Sequence, residues 1–262
     1  MEGVFPGTGV QPAFGGLLRD WRQRRRLSQL ELANAAGVSA RHISFVETGR
    51  SRPSRAMVLR LGRVLDVPPR EQNRMLVAAG LAPVYGERPL DDPHMAAVRA
   101  GVRRVLTAYQ PYPCLAVDRH WDIVALNTGA ALLTDGVAAH LLERPNALRI
   151  ALHPDGLAPR IRNLGQWRHH LITRLRREAE LSGSARLYRL LDEIEDYPGG
   201  FATEEPDLGG VVVPLELTAP DGRPLSFLST VTTFGTALDL TAAELSIEAF
   251  LPADAETAAA LR

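Results

Sequence analysis

The chain has 262 residues, 45% hydrophobic and 23% charged, and its 30 basic and 30 acidic side chains balance to a formal net charge of +0. These are the proportions of a globular protein long enough for two domains, each with its own core. One cysteine, Cys114, excludes an internal disulfide framework, and no apolar run reaches the length of a membrane span. The N-terminus MEGVFPGTGVQPAF lacks the basic segment and apolar stretch of a secretory signal, so a cytoplasmic location is expected. The charge balance is uneven along the chain. Residues 1–85 carry 13 basic side chains against 6 acidic ones, so the remainder is acidic by the same margin. A basic first third suits a polyanionic partner that the rest need not meet.

The first domain, residues 14–81, reads as entirely helical. A helix from about Gly15 to Arg26 buries Leu17, Leu18 and Trp21. Ser28 and Glu31 have the spacing of a capping box, and Leu30, Leu32, Ala33 and Ala36 form the apolar face of the helix they open. Gly37 stands where a chain leaving a helix needs a left-handed residue, Val38 plugs back into the core, and Ser39 caps the next helix. On that helix Ile43 and Val46 face inward at i, i+3, which leaves Ala40, Arg41, Ser44 and Phe45 outward. Ser54 caps a fourth helix, and Pro69 opens a fifth that runs to Ala79-Gly80.

Two short helices joined by a tight turn lay their second helix into the major groove of DNA. Arginines flank the pair on both sides (Arg22, Arg24, Arg25 and Arg26 before it, Arg50, Arg52 and Arg55 after it), as phosphate contacts require. Through Ser28-Gln29, Leu32-Ala33, Gly37-Val38-Ser39, Ile43-Ser44 and Glu47-x-Gly49-Arg50 the segment resembles the Xre/Cro-type helix-turn-helix domain of phage repressors, a five-helix bundle of the lambda repressor-like kind. Ala40, Arg41, Ser44 and Phe45 are expected nearest the bases, with Arg41 suited to a guanine. Gln29, Ser39, Arg50 and Arg52 are expected on the DNA backbone.

Two prolines and a glycine in Ala82–Pro89 mark a linker. A helix from Asp92 to Ala108 follows, then two apolar runs, Cys114–Val117 and Ile123–Leu126, in a hairpin pattern. The middle is helical in character, most clearly over Leu164–Leu181, where Leu164, Trp167, Leu171, Leu175 and Ala179 recur at helical spacing. The last third turns to strands at Val211–Thr218, Leu225–Thr232 and Glu244–Leu251. In the last of these Leu245, Ile247 and Ala249 alternate with Glu244, Ser246 and Glu248 as on a half-buried strand, and Asp254 caps a closing helix. The expected fold is α+β: one five-stranded antiparallel sheet with its helices on one face.

The stretch Trp121-Asp122-Ile123-Val124-Ala125-Leu126-Asn127, Pro145-x-x-Leu148-Arg149 and the tail from Phe227 to Asp254 resemble the sensor domain of MmyB-like transcription regulators. The resemblance implies a PAS-like fold behind an Xre-type DNA-binding domain: residues 14–81 bind DNA, 82–91 link, and 92–262 bind a small apolar, fatty-acid-like ligand. A pocket between sheet and helices would draw on Leu115, Val117, Trp121, Ile123, Phe227 and Phe234, with Asn127 and Arg149 as polar anchors. A homodimer on a double-stranded operator is expected.

Enzymatic motifs are missing from the sequence: no Gly-x-Ser-x-Gly elbow, Walker loop or His-Glu-x-x-His helix occurs. The adjacent histidines His169 and His170 point two ways on a helix. No enzyme activity, cofactor or metal is expected. The competing reading is an antitoxin or anti-repressor whose acidic domain binds a protein.

Overall fold

The computed structural model describes residues 13–199, 212–235, 237 and 239–261. The chain divides into two compact units between Glu87 and Arg88.

The first unit has five helices, α1 (Phe14–Arg24), α2 (Gln29–Ala36), α3 (Ala40–Glu47), α4 (Arg55–Val64) and α5 (Pro69–Ala78). Each start and stop has a local cause. The Ser28 hydroxyl accepts the Glu31 N–H while the Glu31 carboxylate accepts the Ser28 N–H, which closes the capping box. Gly37 leaves α2 at φ 63°, and Ser39 and Ser54 accept the His42 and Met57 N–H groups. Leu18, Trp21, Leu32, Ile43, Val46 and Leu61 meet in one core. Leu30, expected on the apolar face of α2, is 59% exposed, because so short a helix buries a single stripe. A Cβ on Gly15 would overlap the Glu47 carbonyl oxygen, so glycine is what lets α1 rest against the end of α3. After α5, the Asn73 side chain takes the N–H groups of Val84 and Tyr85 and donates to the Tyr85 carbonyl. The start of the proline-containing stretch is thereby fastened to α5.

The second unit begins with a short 3-10 turn capped by Asp92, then α6 (Ala96–Ala108), β1 (Cys114–Val117) and β2 (Ile123–Leu126). Three short helices follow, α7 (Ala131–Thr134), α8 (Ala139–Leu142) and α9 (Ala147–Leu152). Next come α10 (Leu164–Ser182), α11 (Ala185–Glu195), β3 (Leu215–Thr218) and β4 (Pro224–Thr233). The unit closes with α12 (Leu240–Ala243), β5 (Ser246–Pro252) and α13 (Ala255–Ala260). The strands form the expected five-stranded antiparallel sheet, in the order β2-β1-β5-β4-β3. The third strand was expected from Val211, which lies outside the described residues.

Both faces of this sheet are covered, where helices on one face were expected. Leu115, Val117, Phe227 and Phe250 pack beneath α10 and α11, whereas Cys114, Ala116, Ile247 and Ala249 pack against α6. β1 is buried at all four positions, and an apolar run without polar alternation is what a strand covered on both sides requires. The same geometry overturns the half-buried reading of the last strand. Glu248, expected to face solvent, points under α10 and is 4% exposed.

Candidate functional site

In the first unit, α3 presents the side chains expected at the bases. Arg41 is exposed, and Ala40, Ser44 and Phe45 are half-buried beside it. The Arg41 guanidinium carbon stands 5.1 Å from the centre of the Phe45 ring, one turn along the helix. Ser39 caps the helix at its exposed start, and Arg50 and Arg52 are exposed beyond its end. The eight residues singled out for DNA therefore comprise six on α3 and its cap or just after it, with Arg52 close behind and Gln29 at the start of α2.

Gln29 has a further task. Its side-chain amide donates to Glu47 at 2.8 Å, and the same carboxylate receives two N–H groups of Arg22 at 2.6 and 3.1 Å. Glu47 is buried, which alone would raise its pKa, but bonds and charge from Arg22, with Gln29 and Arg19, outweigh burial and hold it below the usual value. Arg22 also donates to the Leu27 carbonyl, and Arg25 donates to the carbonyls of Leu65 and Asp66 after α4. Two of the arginines counted as phosphate contacts thus hold the bundle together. The signal for Glu47 was an acidic residue inside a basic stretch.

In the second unit a small cavity of about 60 Å³ lies between the sheet and α10. Of the residues proposed for a ligand, Leu115, Trp121 and Ile123 line it, with Leu126, Trp167 and Phe250 among the others. The remaining residues expected there are placed elsewhere, each for a physical reason. Val117 and Phe227 are spent in the solid core under the helices. Phe234 packs on the other face, against Gly101 of α6. Asn127 is 5% exposed; its amide donates to the carbonyls of Leu106 and Tyr112 and its oxygen accepts from Cys114 and Ala130. It ties the end of β2 to α6 and β1. Arg149 is held by Glu193 through two N–H groups at 2.8 and 2.7 Å.

The polar wall of the cavity was not legible in the sequence. Arg174 donates to Glu248 at 2.7 Å and to Glu178 at 3.0 Å, and its guanidinium lies 4.4 Å from the centre of the Trp121 ring. The Trp121 indole N–H donates to Glu178 at 2.8 Å. His170 and Ser229 complete the wall, with the Ser229 hydroxyl 3.4 Å from Glu248. Burial and the Arg174 charge lower the His170 pKa. Opposite the cavity-facing strand positions, burial and the nearby Glu248 push the Cys114 thiol up to about 11.

Separately, His140, His153 and Asp155 place ligating atoms within 4.8 Å of one another. There the Asp155 N–H already occupies the His153 Nδ1 lone pair at 3.0 Å, and the ring stacks edge-on against Tyr197. No helix among the described residues is long and apolar enough to cross a membrane.

Residues 13–75 match the helix-turn-helix domain model, and residues 98–262 match the model of the MmyB-like transcription regulator ligand binding domain. The HTH-type transcriptional regulators Rv0023 of Mycobacterium tuberculosis and Mb0023 of Mycobacterium bovis are each 30% identical over 123 residues, 47% of this chain. The chain spans 44% of the length of those relatives. Among solved structures, the restriction-modification controller protein C.AhdI of Aeromonas hydrophila is 37% identical (22% of this chain, 89% of that one, TM-score 0.22). The clp gene regulator ClgR of Corynebacterium glutamicum is 26% identical (28% of this chain, 92% of that one, TM-score 0.24). With its second unit matched almost end to end, the chain belongs to the MmyB-like transcription regulator ligand-binding family and carries a helix-turn-helix domain ahead of it.

Proposed function

We propose that the protein is a sequence-specific DNA-binding regulator that responds to a small apolar ligand. The observation that carries this reading is the outward face of α3, where Arg41 stacks on Phe45 beside Ala40 and Ser44, with exposed Arg50 and Arg52 close behind. Small and polar side chains admit the helix to the major groove. Arg41 then offers two N–H groups to a guanine edge, while Gln29, Ser39, Arg50 and Arg52 meet phosphates. A two-fold homodimer would place two such helices about 34 Å apart on one side of the duplex.

The ligand reading rests on the cavity under α10, whose lining is mostly apolar and includes Trp121 and Trp167. That lining suits an alkyl tail, the part of a fatty-acid-like molecule that belongs in such a wall. At about 60 Å³ the cavity falls well short of the roughly 300–1,000 Å³ of a pocket that holds a drug-sized ligand, so a long chain enters only as Leu126 and its neighbours repack.

Footprinting across the promoters of the source genome tests the DNA reading, with native mass spectrometry reporting the oligomer. A protected site whose affinity falls steeply with salt supports it. Absence of protection in dilute buffer, together with co-purification of a stoichiometric protein, would favour the antitoxin-like alternative.

A further inference from the structure

The charged residues that line the cavity balance, Arg174 against Glu248, but Glu178, outside the lining, brings a second carboxylate to the same guanidinium. The cavity's ionisable lining residues are His170, Arg174 and Glu248, and Arg174 is already shared between two carboxylates, Glu248 and Glu178. The Trp121 ring covers one face of the same guanidinium at 4.4 Å. An incoming carboxylate would have to take Arg174 from Glu248 and leave that buried acid unpaired, or else settle beside two like charges. The unused capacity is of the other kind. The second oxygen of Glu248 receives only the long 3.4 Å approach of Ser229 among the described residues, and the His170 ring borders the same cavity. Glu248 reaches this position because β5 is covered on both faces, so a residue in the polar phase of the strand is turned under α10 opposite Leu115.

We infer that the cavity takes an apolar ligand bearing a protonated amine, seated with its N–H donors on Glu248 and its hydrocarbon part against Leu126, Trp167 and Phe250. This rests on the ligand-responsive reading of the second unit and narrows its chemistry: the head group is a cation, where resemblance to the family implies a fatty-acid-like anion. Arg174 keeps its contacts to Glu178 and Glu248 while the amine takes the second Glu248 oxygen.

The test compares three probes of equal length, hexylamine, hexan-1-ol and hexanoate, titrated into the whole protein by calorimetry near pH 7. Hexylamine is expected to bind at least tenfold tighter than hexanoate, with hexan-1-ol between them. Glu248→Gln should bring the amine and the alcohol to within about threefold of each other, while Ser229→Ala, which keeps the charge, leaves the amine preference intact. If the Glu248 variant fails to fold, the three-probe ranking on the unaltered protein still decides the matter. Hexanoate binding as tightly as hexylamine overturns the amine assignment and leaves an apolar ligand site standing. Binding by none of the three overturns the assignment and removes support for the ligand site too.

Discussion

Arg22 and Glu47, 25 residues apart, form a two-pronged ion pair between α1 and the last turn of α3, and Gln29 of α2 donates to the same carboxylate. One buried acid thus gathers three helices, including the one that carries Arg41. Removing one partner of a buried pair strands the other charge, at a cost of about 3–5 kcal/mol. Glu47→Gln should destabilise the first unit by that order in denaturant titrations followed by far-ultraviolet circular dichroism. A loss below about 1 kcal/mol would mean that the pair is screened like a surface one. The pH dependence has a definite sign. Glu47 is held below its ordinary value of 4.5, so its contribution is complete above that pH and disappears as the pH falls through the lower folded value. The stability gap between the natural protein and the variant should therefore narrow in acid.

Gly15→Ala and Gly16→Ala make a matched pair on α1. A methyl group on Gly15 meets the backbone of Glu47 and Val46, which cannot swing aside, whereas Gly16 faces open space. The first change should cost about 1–3 kcal/mol through overpacking. The second should gain roughly 0.5–1 kcal/mol by restricting the unfolded chain within a helical stretch. Equal melting temperatures for the two variants would remove the close approach of α1 to α3.

Arg149 was the natural choice for a carboxylate anchor, yet Glu193 already occupies its planar fork, and the Tyr197 hydroxyl donates to that same carboxylate. Both partners keep about a third of their side-chain surface in water. Arg149→Ala should therefore cost under about 1 kcal/mol. Hexylamine affinity should stay within about twofold of the natural protein's, measured by the same calorimetry. A tenfold loss would return Arg149 to the ligand.

How much the sequence revealed depends on whether a residue's task is local. The Ser28–Glu31 box, the turn at Gly37, the Ser39 cap and the β1–β2 hairpin are set by neighbours within a few positions, and all are present. The five strands and their antiparallel sheet followed from period and turn signals, whereas the order β2-β1-β5-β4-β3 rests on long-range pairing that no local signal carries. What stayed hidden depends on distant partners. Glu47 looked like one acid among arginines until Arg22 was brought beside it. Glu248 sat in the polar phase of an alternating strand, and only the arrival of α10 on that face makes it part of a cavity wall. Phe234 and Leu115 are equally apolar in the sequence, yet the sheet sends them to opposite faces.

Arg41 is the sharpest test of the DNA reading, because its side chain is exposed and, among the described residues, only the Phe45 ring at 5.1 Å supports it. Truncating it should leave the fold nearly untouched, unlike changes at Glu47. If its two donors read a guanine, Arg41→Ala costs about 1–3 kcal/mol on the preferred operator and little on random duplex, so the ratio between the two narrows. Arg50→Ala, a phosphate contact in the same scheme, should weaken both alike and reduce the salt slope by about 1. The two variants therefore separate base reading from charge neutralisation within one set of gel-shift titrations. Equal losses on operator and random DNA for Arg41→Ala would assign that arginine to the phosphates and pass base reading to Ser44 and Ala40, which lie on the same face of α3.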